Sequence, residues 1–150
     1  MAGDFRSEAE RREFTQLLGG PGLLDERGES LVRMVGFVSG ETKTALLQES
    51  DGLCFPTFYA AESFPIVLIE AMAWGLDIVT TRWRAIPDLF PTGFAGLVPV
   101  QAPEALAKTF EAQLGSDSAG ELREWFLQRY TADHCLGEIK RALVDLNPKG

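Results

Sequence analysis

Apolar residues along the chain fall into two kinds of run. Short runs at 31–37, 53–55, 77–80 and 96–100 are rich in Leu, Val, Ile and Phe and are bounded by Gly, Pro or Asp, which predicts four strands. Longer stretches at 7–18, 41–49, 65–74, 103–114, 119–130 and 132–146 carry apolar residues at helical spacing. Gly19-Gly20-Pro21-Gly22 ends the first of these helices. Ser63 reads as the N-cap of the third helix, Pro65 as a residue of its first turn and Gly75 as its C-cap. Strands alternating with helices imply a parallel sheet covered on both faces, hence an α/β, Rossmann-like fold.

In such sheets ligands sit beyond the carboxyl ends of the strands. Residues 56–63 leave one such end and lead into a helix N-terminus. Unpaired N–H groups and the helix dipole favour an anion there. Glu62 and Glu70 lie eight positions apart across this junction. Were all eight steps helical, they would stand about 12 Å apart along the axis, which suits an extended ligand and not a shared proton. Glu70 is flanked by Val67, Leu68, Ile69, Ala71 and Met72. A carboxylate buried in such company needs hydrogen-bond donors, and ribose hydroxyls would supply them. The alternative is that Glu70 marks the solvated face of an amphipathic helix.

Composition narrows the function. The chain has 150 residues and 45% of them are hydrophobic, enough for one domain with a core. A formal charge of -8 repels phosphate backbones and argues against nucleic acid as a partner. Cys54, Cys135 and the single histidine, His134, lack the spacing of a zinc site, so no metal is expected. Cys54 reads as a small core residue, and Asp133-His134-Cys135 as helix surface, since neighbours in a helix do not face one another. No signal peptide or transmembrane span is visible, and a cytoplasmic location is expected.

The stretch from Phe55 to Gly75 contains Pro56-Thr57, Glu62-Ser63-Phe64, Glu70-Ala71-Met72-Ala73 and Gly75 in that order. It resembles the Glu-x7-Glu motif of the GT-B glycosyltransferase family that includes sucrose, mannosyl and lipopolysaccharide-core transferases. Val35-Gly36-Phe37-Val38, Asp51, Ile86-Pro87-Asp88 and Gly96-Leu97-Val98 match further elements of the same family. The resemblance runs over roughly residues 3–114 and implies the carboxyl-terminal, donor-binding domain of a retaining, nucleotide-sugar-dependent transferase. Its motif core is 31–100, followed by carboxyl-terminal helices over 103–146.

By that resemblance Glu62 is the catalytic candidate and faces the donor sugar, while Glu70 holds the ribose. The N–H groups of Phe64, Ile66 and Val67 lie near the diphosphate, Ser63 and Pro65 belong to the same donor-binding stretch, and Phe37 and Val38 lie beside the base. The donor is a substrate, and no cofactor or metal is implied. Pro65 stands where the family has Gly and forfeits one N–H. Asp77 stands where the family has Pro, a change expected to affect only the turn.

Met1-Ala2-Gly3-Asp4 resembles the end of the family domain's second strand. The first strand, its basic residues and the amino-terminal acceptor domain are therefore expected to be absent. Completion by that domain or by a partner chain, and self-association through unpaired strands, are expectations of this reading. Arg82 and Arg84, on either side of Trp83, are candidate phosphate contacts; the other reading is a surface loop with an aromatic anchor. A non-catalytic remnant that binds a nucleotide or a partner is the competing function. A receiver-type signalling domain fits less well, because Phe37, Pro56 and Thr80 stand at the strand ends in place of an acidic cluster.

Overall fold

The structure is a computed structural model that describes residues 1–5, 7–20 and 22–146. The chain divides into two compact units, Met1–Leu46 and Leu47 onward.

In the first unit, helix α1 (Glu8–Leu18) is capped by Ser7, whose Oγ accepts from the Glu10 amide at 3.2 Å. The helix buries none of its residues. The strand expected over 31–37 does not form a ladder. This segment instead makes a short seam with the amino terminus: the Met1 ammonium donates to Arg33 O (2.6 Å), Val35 N to Met1 O (3.0 Å) and Gly3 N to Gly36 O (2.8 Å). Gly3 (φ +131) and Gly36 (φ +69) lie in the left-handed region, which breaks the extended repeat at both sides of the seam. Helix α2 (Gly40–Gln48) follows.

The second unit is built on a three-stranded parallel sheet of β1 (Gly52–Phe55), β2 (Asp77–Thr81) and β3 (Leu97–Val98), in the order β1-β2-β3. Phe55 pairs with Thr80, and Thr81 pairs with Val98. All five residues of β2 are buried, so both faces of the central strand are covered, as the alternating pattern requires. β3 is shorter than expected because Pro99 has no N–H to offer and Gln101 is left-handed (φ 55). Cys54 is exposed on the edge strand and not in the core, although desolvation still pushes its thiol above the usual range.

Helix α3 (Ile66–Trp74) buries Leu68, Ala71 and Met72. It packs on β1, β2 and α5 (Ser118–Arg129), while α4 (Pro103–Gln113) lies on β2 and β3. A 3-10 turn (Ile86–Leu89) completes the core with Ile86 and Leu89. Trp125 Nε1 and Tyr130 Oη both donate to Leu89 O, at 2.9 and 2.8 Å. Trp125 of α5 and Tyr130 at its C-cap therefore fasten that helix to the core. Helix α6 (Ala132–Leu146) buries none of its residues.

Desolvation raises the Tyr130 hydroxyl above its ordinary value, against smaller lowering effects from Arg129 and the Trp125 hydrogen bond. The folded chain therefore holds the phenol proton more tightly than the unfolded chain does. The resulting stability is complete below the ordinary tyrosine value of about 10 and falls as pH rises from there towards the folded value. Melting temperature should drop more steeply above about pH 10 in the wild type than in Tyr130→Phe; parallel pH curves for the two proteins would contradict this.

Asp77 does more than shape a turn. It is 4% exposed, and its carboxylate accepts from Ser118 Oγ at 2.6 Å and from Gly115 N at 3.2 Å. A negative charge at the first turn of α5 is also favoured by the helix dipole. Asp77→Ala leaves two donors without their acceptor and should cost about 2–3 kcal/mol in chemical denaturation. A loss below about 0.5 kcal/mol would show that the latch contributes nothing.

Candidate functional site

The carboxyl ends of all three strands frame the site. β1 ends at Pro56, whose missing N–H stops the ladder, and the chain runs as an irregular segment to Pro65. Helix α3 begins at Ile66 with Pro65 as its N-cap (φ -72, ψ 98), and no side chain caps it. Ser63 is exposed and does not cap. The reason is local: with Ser63 as cap, Phe64 would have to be helical, and a residue preceding proline is disfavoured there. Gly75 closes the helix in the left-handed conformation, as expected.

Glu70 is half-buried one turn inside α3, and Glu62 is half-buried in the segment before it. Only residues from Ile66 onward are helical, so the 12 Å helical separation does not apply to this pair. Phe64 and Ile66 are exposed, Val67 is half-buried and Pro65 is buried. The helix thus starts with apolar side chains turned outward beside opening amides that no side chain blocks. Glu62 through Glu70 form one continuous loop and helix start. Phe37, exposed, and Val38, half-buried, belong to the other compact unit.

Three donors from β2 and the turn after it grip the segment carrying Glu62. Thr80 Oγ1 donates to Phe55 O at 2.8 Å, Thr81 Oγ1 donates to Thr57 O, and Trp83 Nε1 donates to Tyr59 O at 2.8 Å. The Glu62 amide donates to the same Tyr59 carbonyl at 3.1 Å. Arg82 and Arg84 are exposed on either side of Trp83, and the Arg84 guanidinium lies 5.7 Å from the indole centroid. Sequence reasoning found Trp83 only as an anchor and missed both threonines. Their signal is two adjacent hydroxyls directly after Ile78-Val79 in a short strand, since buried hydroxyls must find acceptors.

A cavity of about 240 Å³ opens at the same end of the sheet, with Pro56, Phe58, Thr81, Val98, Pro103 and Leu106 in its walls. Glu62 and Glu70 do not line it. Among the described residues no three His, Cys, Asp or Glu side chains gather to hold a metal. No helix of the described residues is long and apolar enough to cross a membrane.

The family model described as "Glycosyl transferases group 1" matches residues 4–115. The chain belongs to this glycosyltransferase family. Among its relatives, a protein of Escherichia coli named as a colanic acid biosynthesis glycosyltransferase, WcaL, is 31% identical over 125 residues, which is 79% of this chain and 31% of that protein. The amylovoran biosynthesis glycosyltransferase AmsK of Erwinia amylovora is 36% identical over 97 residues, 62% of this chain and 23% of AmsK. The phosphatidyl-myo-inositol mannosyltransferase of Mycolicibacterium smegmatis is 34% identical over 99 residues, 65% of this chain and 25% of that enzyme. The matched region thus spans about a third or less of the length of each of these relatives. The fold is that of sucrose-phosphate synthase from Thermosynechococcus elongatus, a GT-B protein, with a TM-score of 0.68 and 23% identity over 97% of this chain and 37% of the other.

Proposed function

We propose that this glycosyltransferase chain binds the nucleotide-sugar donor, and that sugar transfer proceeds with retention once an acceptor-binding domain completes the site. The observation that carries this reading is the start of α3: a helix with no side-chain cap at the carboxyl end of a parallel sheet, with a half-buried glutamate one turn inside it. Anionic phosphate oxygens suit the opening amides of Ile66 and Val67, where partial positive charge is concentrated. Glu70 accepts from the two ribose hydroxyls. Glu62, Ser63 and Phe64 precede the helix and border the donor sugar, with Glu62 the group nearest the reacting carbon.

Pro65 occupies the N-cap and contributes shape but no donor. Arg82 and Arg84 add positive charge towards the leaving diphosphate. As negative charge builds on that leaving group, helix-end amides and guanidinium groups stabilise it without reorganising. No metal or cofactor enters this scheme. Nucleotide sugars are cytosolic metabolites, which fits a cytoplasmic site of action. The relatives are named for colanic acid biosynthesis, amylovoran biosynthesis and phosphatidyl-myo-inositol mannosyl transfer, which points to a saccharide or lipid-linked acceptor.

Calorimetry with a panel of uridine, guanosine and adenosine diphosphate sugars tests the reading. One base and sugar should bind at micromolar strength, with the free nucleoside diphosphate weaker. Silence across the panel overturns donor binding and favours a remnant that kept the fold alone.

A further inference from the structure

The three carbonyls held by side chains are those of Phe55, Thr57 and Tyr59, every second residue along the segment that leaves β1. Past Pro56, where β1 stops pairing through its backbone, the Thr57 amide turns back to Phe55 O at 2.9 Å, and hydroxyl and indole donors of β2 and the turn after it hold the segment in place of amide donors. The indole makes the last of these contacts, and it makes it at a shared acceptor. Tyr59 O receives both Trp83 Nε1 and the Glu62 amide.

The indole is itself fixed. It packs on the apolar core, it lies near the guanidinium of Arg84, and the left-handed Arg84 backbone (φ 48) turns the chain straight after it. Trp83 N donates to Thr81 O at 2.8 Å and Ile86 N to Trp83 O at 3.0 Å, so backbone bonds hold both ends of the residue. Glu70, by contrast, is carried by the backbone of helix α3. The two glutamates therefore depend on different supports: Glu70 on α3, and Glu62 on the β2 clamp.

We infer that Trp83, assisted by Thr81, is a positioning residue that sets where Glu62 meets the donor, and so governs recognition of the sugar separately from recognition of the nucleotide. The assignment rests on the donor-binding reading for what Glu62 faces, but the clamp itself does not. Trp83→Phe keeps a ring against the core and deletes the N–H. Thr81→Val keeps the branched shape and deletes the hydroxyl, and it stands in should Trp83→Phe not fold.

Hydrogen exchange and calorimetry on the whole chain separate the outcomes. In the variant, the Glu62 amide and its neighbours over 57–62 should exchange at least about tenfold faster while amides of β2 and α3 keep their protection. Affinity for the preferred nucleotide sugar should fall about five- to tenfold, the size of one lost hydrogen bond, while affinity for its nucleoside diphosphate stays unchanged. Unaltered exchange over 57–62 overturns the clamp. Equal losses for nucleotide sugar and nucleoside diphosphate overturn the assignment to the sugar. A wild-type chain that binds no member of the panel overturns the donor reading and the sugar-facing role with it, whatever the exchange result.

Discussion

Gly96→Ala should lower the melting temperature by roughly 10 °C, because the added methyl has nowhere to go. A Cβ built at Gly96 would stand 2.1 Å from Ile78 O and 2.5 and 2.7 Å from two ring carbons of Phe94. The nearest clash is with the backbone of the central strand, which cannot rotate aside as a flexible side chain can. Phe94 is stacked on Phe90 with centroids 4.5 Å apart, so the ring has little room to retreat. Gly96 O also accepts from Thr80 N at 2.9 Å, so a shift of Gly96 pulls on the residue that opens the clamp. Overpacking of a rigid site costs about 3 kcal/mol, and for a chain of this size each kcal/mol moves the midpoint by about 2–4 °C. A thermal scan showing a shift under about 2 °C would mean that the strand and the glycine do not approach this closely.

Glu70→Ala should weaken binding of the preferred nucleotide sugar by about 30- to 1000-fold while leaving the fold intact. Charge-assisted hydrogen bonds to two neighbouring hydroxyls, lost together, correspond to about 2–4 kcal/mol. Glu70 is half-buried on α3, whereas Leu68, Ala71 and Met72 carry that helix's core contacts, so the substitution spares packing. Glu70→Gln keeps length and one carbonyl acceptor and should fall between the two. The 2′-deoxy donor should lose affinity in the wild type but not in Glu70→Ala, since the alanine protein no longer reads that hydroxyl. Equal binding of the ribose donor by wild type and Glu70→Ala, at unchanged melting temperature, would remove Glu70 from the site.

What could be read from the sequence follows the range of the interactions involved. The strands of the three-stranded sheet are bounded by local signals, Asp51-Gly52 and Pro56 for β1, Gly75 before β2, and Pro99 after β3, and all three form. Residues 31–37 have equally good strand composition and make no ladder, because a ladder needs a partner that composition cannot name. The Ser63 cap failed for a reason present in the sequence, the bias that Pro65 imposes on Phe64. Asp77 could not be read as a latch, because Ser118 lies 41 positions away. Of the candidate site, the Glu62–Glu70 segment could be singled out from the sequence because the whole of it is contiguous. The support that holds it was not, because Thr80, Thr81 and Trp83 reach back 24 or 25 positions to carbonyls.

That last contact set has an evolutionary consequence. Every amino acid brings the same main-chain oxygen, so a grip on the oxygens of positions 55, 57 and 59 is indifferent to the side chains mounted there. Residues 58–61 can be exchanged, and new ligand preferences tried, without renegotiating the grip on those oxygens, whereas Thr57 also accepts from the Tyr59 amide through its hydroxyl. Diversification would be confined to the tethered stretch, while the tethering threonines and tryptophan stay as they are.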